Sequence, residues 1–384
     1  MIFATPDLRA EDRRALELIE EQRRQLRIHV SEPRRWVGRL RRTALARAIQ
    51  GSNSIEGYVV GLDDALAAVE NDEPMSAAAE TWQAIVGYRH AMTYVLQLAT
   101  DPFFTLNESL IKSLHFMMTQ YDLRSNPGMW RRGDIYVRDD ATNKIVYQGA
   151  DADDVPTLMA ELISTIEAST APPLIRAAMA HLNLVMIHPF SDGNGRMARC
   201  LQTLVLAREG ILAPQFSSVE EYLGANTDAY YAVLADVGRG RWSPTGDAHV
   251  WIRFMLTAHY RQGATLLRRV AESQALWLLV EGMVAPTRTP PRSLPTLFDA
   301  AQGLRISRST YLASLDQPVS DTVATRDLRA LVDAGFLLAT GEKRGRTYRA
   351  SQSLAALRTR ASVRSAGDVG SMDPYAPTPD PTLF

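Results

Sequence analysis

Apolar residues recur three and four apart from the start of the chain. They do so through DLRAEDRRALELIEEQRRQLRI and again through RRWVGRLRRTALARAIQ, where Leu40, Ala44, Leu45, Ala48 and Ile49 share one face. That spacing predicts amphipathic helices. The stretch GSNSIEGYVVG, residues 51–61, breaks the pattern and is expected to interrupt them. Helical spacing resumes in LDDALAAVEN, in AAETWQAIVGYRHAMTYVLQL with its stripe of Trp82, Ile85, Val86 and Met92, and in LNESLIKSLHFMMTQ. Period-two character appears in GDIYVRDDATNKIVYQG, where β-prone runs at 134–137 and 145–147 flank an Asp/Asn-rich turn and predict a hairpin. Helices are then expected at 155–169, 173–187 and 197–209, with further helical segments from about 220 to 269. The prolines of VAPTRTPPRSLP, 284–295, forbid a continuous helix and mark a linker. Beyond it, two or three short helices precede a small hairpin at FLLATGEKRGRTYRAS. The tail AGDVGSMDPYAPTPDPTLF has little to bury and is expected to lack order.

Composition narrows this picture modestly. With 384 residues, 46% hydrophobic, 22% charged and a net charge of −1, the chain has room for two or three domains and no overall bias toward polyanions. One cysteine, Cys200, leaves no disulfide framework and suits a reducing compartment, so the cytosol is the expected location. No run of about 20 apolar residues suggests a membrane helix.

The chemistry concentrates in HPFSDGNGRMAR, residues 188–199. Ile175, Ala178, Met179, Leu182 and Met186 predict a buried helix that ends where His188 meets Pro189. A glycine-punctuated turn follows, and Cys200, Leu201, Leu204 and Val205 resume helical spacing. Gly193 and Gly195 let successive amides converge at a helix N-terminus, where the dipole favours an anion. Arg196 and Arg199, three apart, share a face. Asp192 offers the hard oxygen that magnesium takes, and His188 a base that titrates near neutrality. Singly, each has a bland reading as cap, turn or solvated face. Together they are the parts of phosphoryl-group chemistry.

These twelve residues match, at every defined position, the Fic-family motif His-Pro-Phe-x-Asp/Glu-Gly-Asn-Gly-Arg-x-x-Arg. The chain resembles Fic proteins over roughly residues 45–260. The resemblance implies a mostly α-helical Fic bundle with a small β-hairpin flap, and an adenylyltransferase that moves AMP from ATP, with Mg2+, to a Ser, Thr or Tyr hydroxyl of a target protein or of itself. His188 would be the general base and Asp192 the magnesium ligand. Gly193, Asn194 and Gly195 would form the anion hole, and Arg196 and Arg199 would bind the outer phosphates. Ile135, Tyr136, Val137 and Arg138 resemble the target-binding flap, and NTDAYYAVL makes Tyr230 and Tyr231 candidates for the adenine. SNSIEG, from Ser52 through Glu56 to Gly57, resembles the inhibitory signature of the class whose inhibitory helix precedes the motif, so Glu56 would be a regulator.

The expected organisation is an N-terminal helical region at 1–100 with the inhibitory motif at 52–57, a catalytic domain at 101–260, a helix and linker at 261–295, a winged helix-turn-helix module at 296–350 and a disordered tail at 351–384. In the module, Ala324, Leu328, Leu331 and Val332 share a face. Arg326 or Arg329 would face a DNA groove and Arg344 and Arg346 its phosphates, but Asp321, Asp327 and Asp333 oppose this and favour protein interaction. AMP removal, transfer of another phosphate-linked group, a self-silenced toxin, and a DNA-binding regulator with a minor enzymatic role stay open. So do a homodimer and the identity of the target.

Overall fold

The computed structural model describes residues 1–31, 34–138, 142–210, 214–341, 346–364, 369 and 372–376. In chain order they form α1 (Ala10–Ser31), α2 (Val37–Ile55), α3 (Leu62–Glu70), α4 (Ala79–Leu98), α5 (Glu108–Thr119), β1 (Tyr136–Arg138), β2 (Ile145–Gln148), α6 (Val155–Ala168), α7 (Pro173–Ile187) and α8 (Asn194–Arg208). There follow α9 (Pro214–Ser217), α10 (Glu220–Ala225), α11 (Thr227–Gly238), α12 (His249–Val284), α13 (Leu294–Ala301), α14 (Arg308–Ala313), α15 (Asp321–Asp333), β3 (Leu337–Thr340), β4 (Thr347–Ala350) and α16 (Gln352–Arg364). The protein is mostly helical, and each strand pair is a separate antiparallel hairpin. β1 aligns Tyr136 with Gln148 and Val137 with Tyr147, and the register shifts before Arg138 meets Ile145.

Two apolar cores hold these elements. In the first, the inward faces of α7 and α8, including Ile175, Leu182, Met186, Cys200, Leu201 and Leu204, meet α1, α4, α5, α6 and the first half of α12. In the second, Leu266, Val270, Trp277 and Val280 of α12 meet Leu297 and Phe298 of α13, Leu328 and Leu331 of α15, and Leu354 and Leu357 of α16. α2 belongs to both: Ile49 and Ile55 lie in the first core, Val37 and Leu40 in the second.

Several sequence expectations change here. Residues 51–55 continue α2 instead of interrupting it. Gly51 is needed for contact, because a Cβ there would stand 2.5 Å from the Glu220 carbonyl oxygen and 2.9 Å from Glu221 Cα. Gly224 answers from α10, where a Cβ would come 2.6 Å from Gly51 Cα. The division at residue 260 falls inside α12, a single 36-residue helix, and the first core runs across residue 100 without a break. Disorder throughout 351–384 does not hold either. Leu354, Leu357 and Ala361 give α16 a buried face, and the Tyr375 hydroxyl donates to Asp12 Oδ1 at 3.0 Å while Arg261 Nε donates to the Met372 carbonyl at 2.9 Å.

Overpacking at a helix crossing costs about 1–3 kcal/mol, so Gly51→Ala should destabilise the protein by that amount in chemical denaturation. Gly38→Ala, on the same helix with nothing within 4 Å of the new Cβ, should instead gain about 0.4–1 kcal/mol. Equal effects at both positions would show that Gly51 is there for conformation and not for contact.

Candidate active site

α7 delivers His188 at its C-cap in the left-handed region, φ 56°, an uncommon conformation for a non-glycine residue. The His188 amide donates to the Leu184 carbonyl at 3.0 Å, which closes the helix. Nδ1 lies 2.9 Å from the Val185 carbonyl oxygen. A carbonyl only accepts, so Nδ1 carries the proton of the neutral ring and Nε2 keeps its lone pair. Burial lowers the His188 pKa, and the Val185 bond and the Glu56 charge only partly oppose it. The ring is therefore neutral at physiological pH.

The turn to α8 is closed by Asn194. Its Oδ1 accepts from the Phe190 amide at 2.8 Å and its Nδ2 donates to the Phe190 carbonyl at 2.8 Å. Gly193, φ 75°, is the N-cap, with no side-chain cap on the helix. The first-turn amides at Asn194, Gly195 and Arg196 thus have no intrahelical acceptor and point the positive end of α8 out of the turn. α8 begins at Asn194, three residues earlier than the apolar spacing predicts, because the loop geometry and not the apolar pattern sets its first turn.

Arg196 and Arg199 are both buried. Arg196 donates to Tyr121 Oη at 3.1 Å, pairs with Asp192 at 3.2 Å and lies over the Tyr58 ring at 5.2 Å. Arg199 Nε donates to Ser52 Oγ at 2.8 Å, and its Nη2 donates to the Ser52 carbonyl at 2.9 Å and to Glu56 Oε1 at 2.7 Å. Burial works against the Arg199 charge, but the Glu56 charge and hydrogen bond, with Tyr230 and Tyr88, together leave the pKa above its ordinary value. For Glu56, burial raises the carboxyl, yet the Arg199 and Arg196 charges leave it below the usual carboxylate value. The pair is ionised.

Glu56 caps the end of α2, and Gly57, φ 83°, turns the chain away. Its carboxylate lies directly over Gly195, where a Cβ would collide with Oε1. Among the described residues, two buried donors here have no partner, Arg199 Nη1 and Arg196 Nε. Together with the uncapped α8 turn, they fit a polyphosphate. Asp192, 53% exposed in its side chain, fits magnesium as a lone carboxylate sharing the ion with phosphate oxygens.

Tyr231 is exposed and donates to the Ile55 carbonyl at 3.1 Å, which ties α11 to the end of α2. Tyr230 is a correction to the sequence reading. It is 1% exposed, its ring packs among His181, Trp251 and Tyr231, and its hydroxyl is 2.9 Å from His181 Nε2, so no face is open to a base. β1 presents Tyr136 and Arg138 outward with Ile135 and Val137 half-buried. β2 uses its other edge, where Gln148 bonds Gly240 and Trp242.

Sequence reasoning missed two residues that position the loop. His115 accepts from the Gly128 amide at Nδ1, 2.9 Å, so its Nε2–H donates to the Asp192 carbonyl, 2.8 Å away. Its ring stacks on Phe190 at 3.6 Å, and burial pushes its pKa down to about 4, which keeps that tautomer neutral. Arg131 donates to the His188 carbonyl at 2.7 Å, to Gly133 at 2.7 Å and to Ala150, stitching the loop to the approach to β1. Both sit far from the motif in sequence and carry no local pattern that marks them.

Residues 105–206 match the model of the Fic/DOC family. A protein adenylyltransferase fic-1 of Caenorhabditis elegans is 46% identical over 56 residues, 14% of this chain and 11% of that one. A protein adenylyltransferase Fic of Aedes aegypti is 29% identical over 196 residues, 50% of this chain and 38% of that one. The chain thus spans well under half the length of these two relatives. Among solved structures, a Fic family protein from Desulfovibrio desulfuricans G20 superposes with a TM-score of 0.56 at 21% identity, covering 91% of this chain and 98% of that one. Motif, loop geometry, family match and fold agree: the chain carries a domain of the Fic/DOC family.

Proposed function

We propose that the protein transfers AMP from MgATP to a Ser, Thr or Tyr hydroxyl of a protein, a partner or itself, and that Glu56 restrains this activity. The observation that carries the reading is the Glu56 carboxylate on Arg199 and over Gly195, beside an unpartnered Arg199 Nη1. An anion already occupies the end of a site built for a larger one.

The mechanism follows from the groups present. His188 Nε2 accepts the proton of the attacking hydroxyl. The hydroxyl oxygen bonds the α-phosphorus, the bond from that phosphorus to its bridging oxygen breaks, and pyrophosphate leaves. The α8 amides and Arg196 stabilise the charge that builds on the phosphates. Asp192 would hold magnesium, which would offset the charge of the triphosphate. Arg199 takes the terminal phosphate once Glu56 releases it. Target chain adds to the free edge of β1, so that Tyr136 and Arg138 set its register and bring the hydroxyl in line. Tyr231 remains the candidate wall for the adenine.

We read α13, α14, α15 and the β3–β4 hairpin as a winged-helix module that docks protein. Its acids support that use. On α15, Asp327 is buried under Arg292 and Tyr311, while the exposed side carries Asp321 and Asp333 among its arginines. Arg344 lies outside the described residues, and Arg346 is exposed.

His188→Ala should lower transfer from α-labelled ATP by about two to four orders of magnitude while ATP affinity stays within a few-fold; γ-label should not transfer in either protein. Full activity in the variant would remove His188 as the base. Because burial holds its pKa below the ordinary imidazole value, about 6.5, the acid limb of the wild-type rate profile should have its midpoint below pH 6.5; a midpoint above 6.5 would contradict a burial-lowered pKa. Glu56→Gly should raise self-labelling roughly ten- to a hundredfold, the equivalent of one charge-assisted hydrogen bond. Unchanged labelling would defeat the restraint. Finally, duplex DNA should show no salt-steep binding; a shift that weakens on charge reversal of Arg326 and Arg329 would assign the module to DNA.

A further inference from the structure

Outside the active site, guanidinium groups converge where α2 crosses α12 and α16. A cleft with about 80 Å³ of open volume is lined there by Thr43 and Arg47 of α2, Arg269 and Ser273 of α12, Gln302, and Arg358 of α16. Since a single water needs about 10–15 Å³ by the same measure, it has room for a small polyatomic ion.

The charges around it do not balance. One carboxylate, Glu221, serves two of the arginines: it receives both Nη atoms of Arg269 at 2.6 Å and lies 3.6 Å from Arg47. Glu272, which also lines the cleft, pairs with Arg268 at 3.7 Å. Arg358 donates to a neutral group, the Gln302 carbonyl, at 2.7 Å. Arg47 Nε is buried and has no partner among the described residues. Burial depresses the Arg47 pKa and the Arg269 charge depresses it further; Glu221 opposes this, and Arg358 adds to the depression. Three arginines on three helices thus have one carboxylate among them, the carboxylate of the lining, Glu272, is taken by Arg268, and Arg47 Nε is left as a buried donor with no partner among the described residues.

The shape of the missing acceptor follows from the donors. They come from three helices, whereas a carboxylate has two oxygens in one plane and Glu221 already fills that role. A tetrahedral oxyanion offers an oxygen to each side, and guanidinium forks match its edges. We propose that this cleft binds a phosphate-type oxyanion, free or carried by a small nucleotide, which fastens α2 to α12 and α16. Arg47 lies about 14 Å along α2 from Glu56 at 1.5 Å per residue. The anion therefore grips the restraining helix away from the catalytic loop, by contacts independent of the proposed reaction.

The test is equilibrium binding of inorganic phosphate, pyrophosphate and AMP to the full chain at constant ionic strength, with hydrogen exchange of the α2 amides as a second readout. Variants Arg47→Gln and Arg358→Gln report on the cleft, and Arg360→Gln, exposed on α16 and outside the lining, is the control. One class of site should weaken by roughly tenfold or more in each of the first two variants and be unchanged in the control. Its ligand should protect amides at 43–50 in the wild type and the control but not in the two cleft variants. A preference for phosphate or pyrophosphate identifies a free ion, and a preference for AMP a nucleotide-borne phosphate. Binding and protection identical in wild type and both cleft variants, with all three probes, would overturn the proposal. Arg358 is exposed, so its variant keeps the test valid even if Arg47→Gln fails to fold.

Discussion

A guanidinium removed from water must find acceptors, and Arg199 is a guanidinium with 1% of its side chain exposed. Its partners come from α2, a helix more than a hundred residues earlier: the Ser52 hydroxyl and carbonyl and the Glu56 carboxylate. Losing one partner of such a pair strands a buried charge, which typically costs about 3–5 kcal/mol. The 188–199 loop and the end of α2 are therefore stabilised by the same contacts. Glu56 does not satisfy Arg199 fully, since Nη1 is buried with no partner among the described residues.

α2 also carries this constraint outward. Its middle is locked to α10 by the Gly51 and Gly224 contact, its first turns lie in the second core, and Arg39 pairs with Asp299 of α13. Arg305 and Asp63, and Ser309 and Asp72, add further links between the C-terminal elements and the segment that follows α2. The position of Glu56 thus depends on both cores.

The fold and the loop were largely legible in sequence, for physical reasons. The apolar period that buries Ile175 through Met186 is the one that makes α7 a helix, and residues 188–199 are local enough for their spacing to express their geometry. The hairpin at 136–148 was legible through its turn chemistry. What sequence missed depends on long-range contact. A glycine in SNSIEG's helix reads as a break until α10 is seen against it, Tyr230 reads like Tyr231 until one proves to be core, and His115 and Arg131 act on loop carbonyls 77 and 57 residues away. The tail misled for a related reason: few apolar residues suffice when Leu354, Leu357 and Ala361 all meet one waiting core.

The central claim is competition between the Glu56 carboxylate and the terminal phosphate for Arg199. Calorimetric affinities of ATP and AMP for wild type and Glu56→Gly test it directly, because AMP lacks the phosphate in dispute. The account predicts that the substitution tightens ATP by roughly tenfold or more, the equivalent of a charge-assisted hydrogen bond, and leaves AMP nearly unchanged. Equal changes for both nucleotides, or none for ATP, would contradict it.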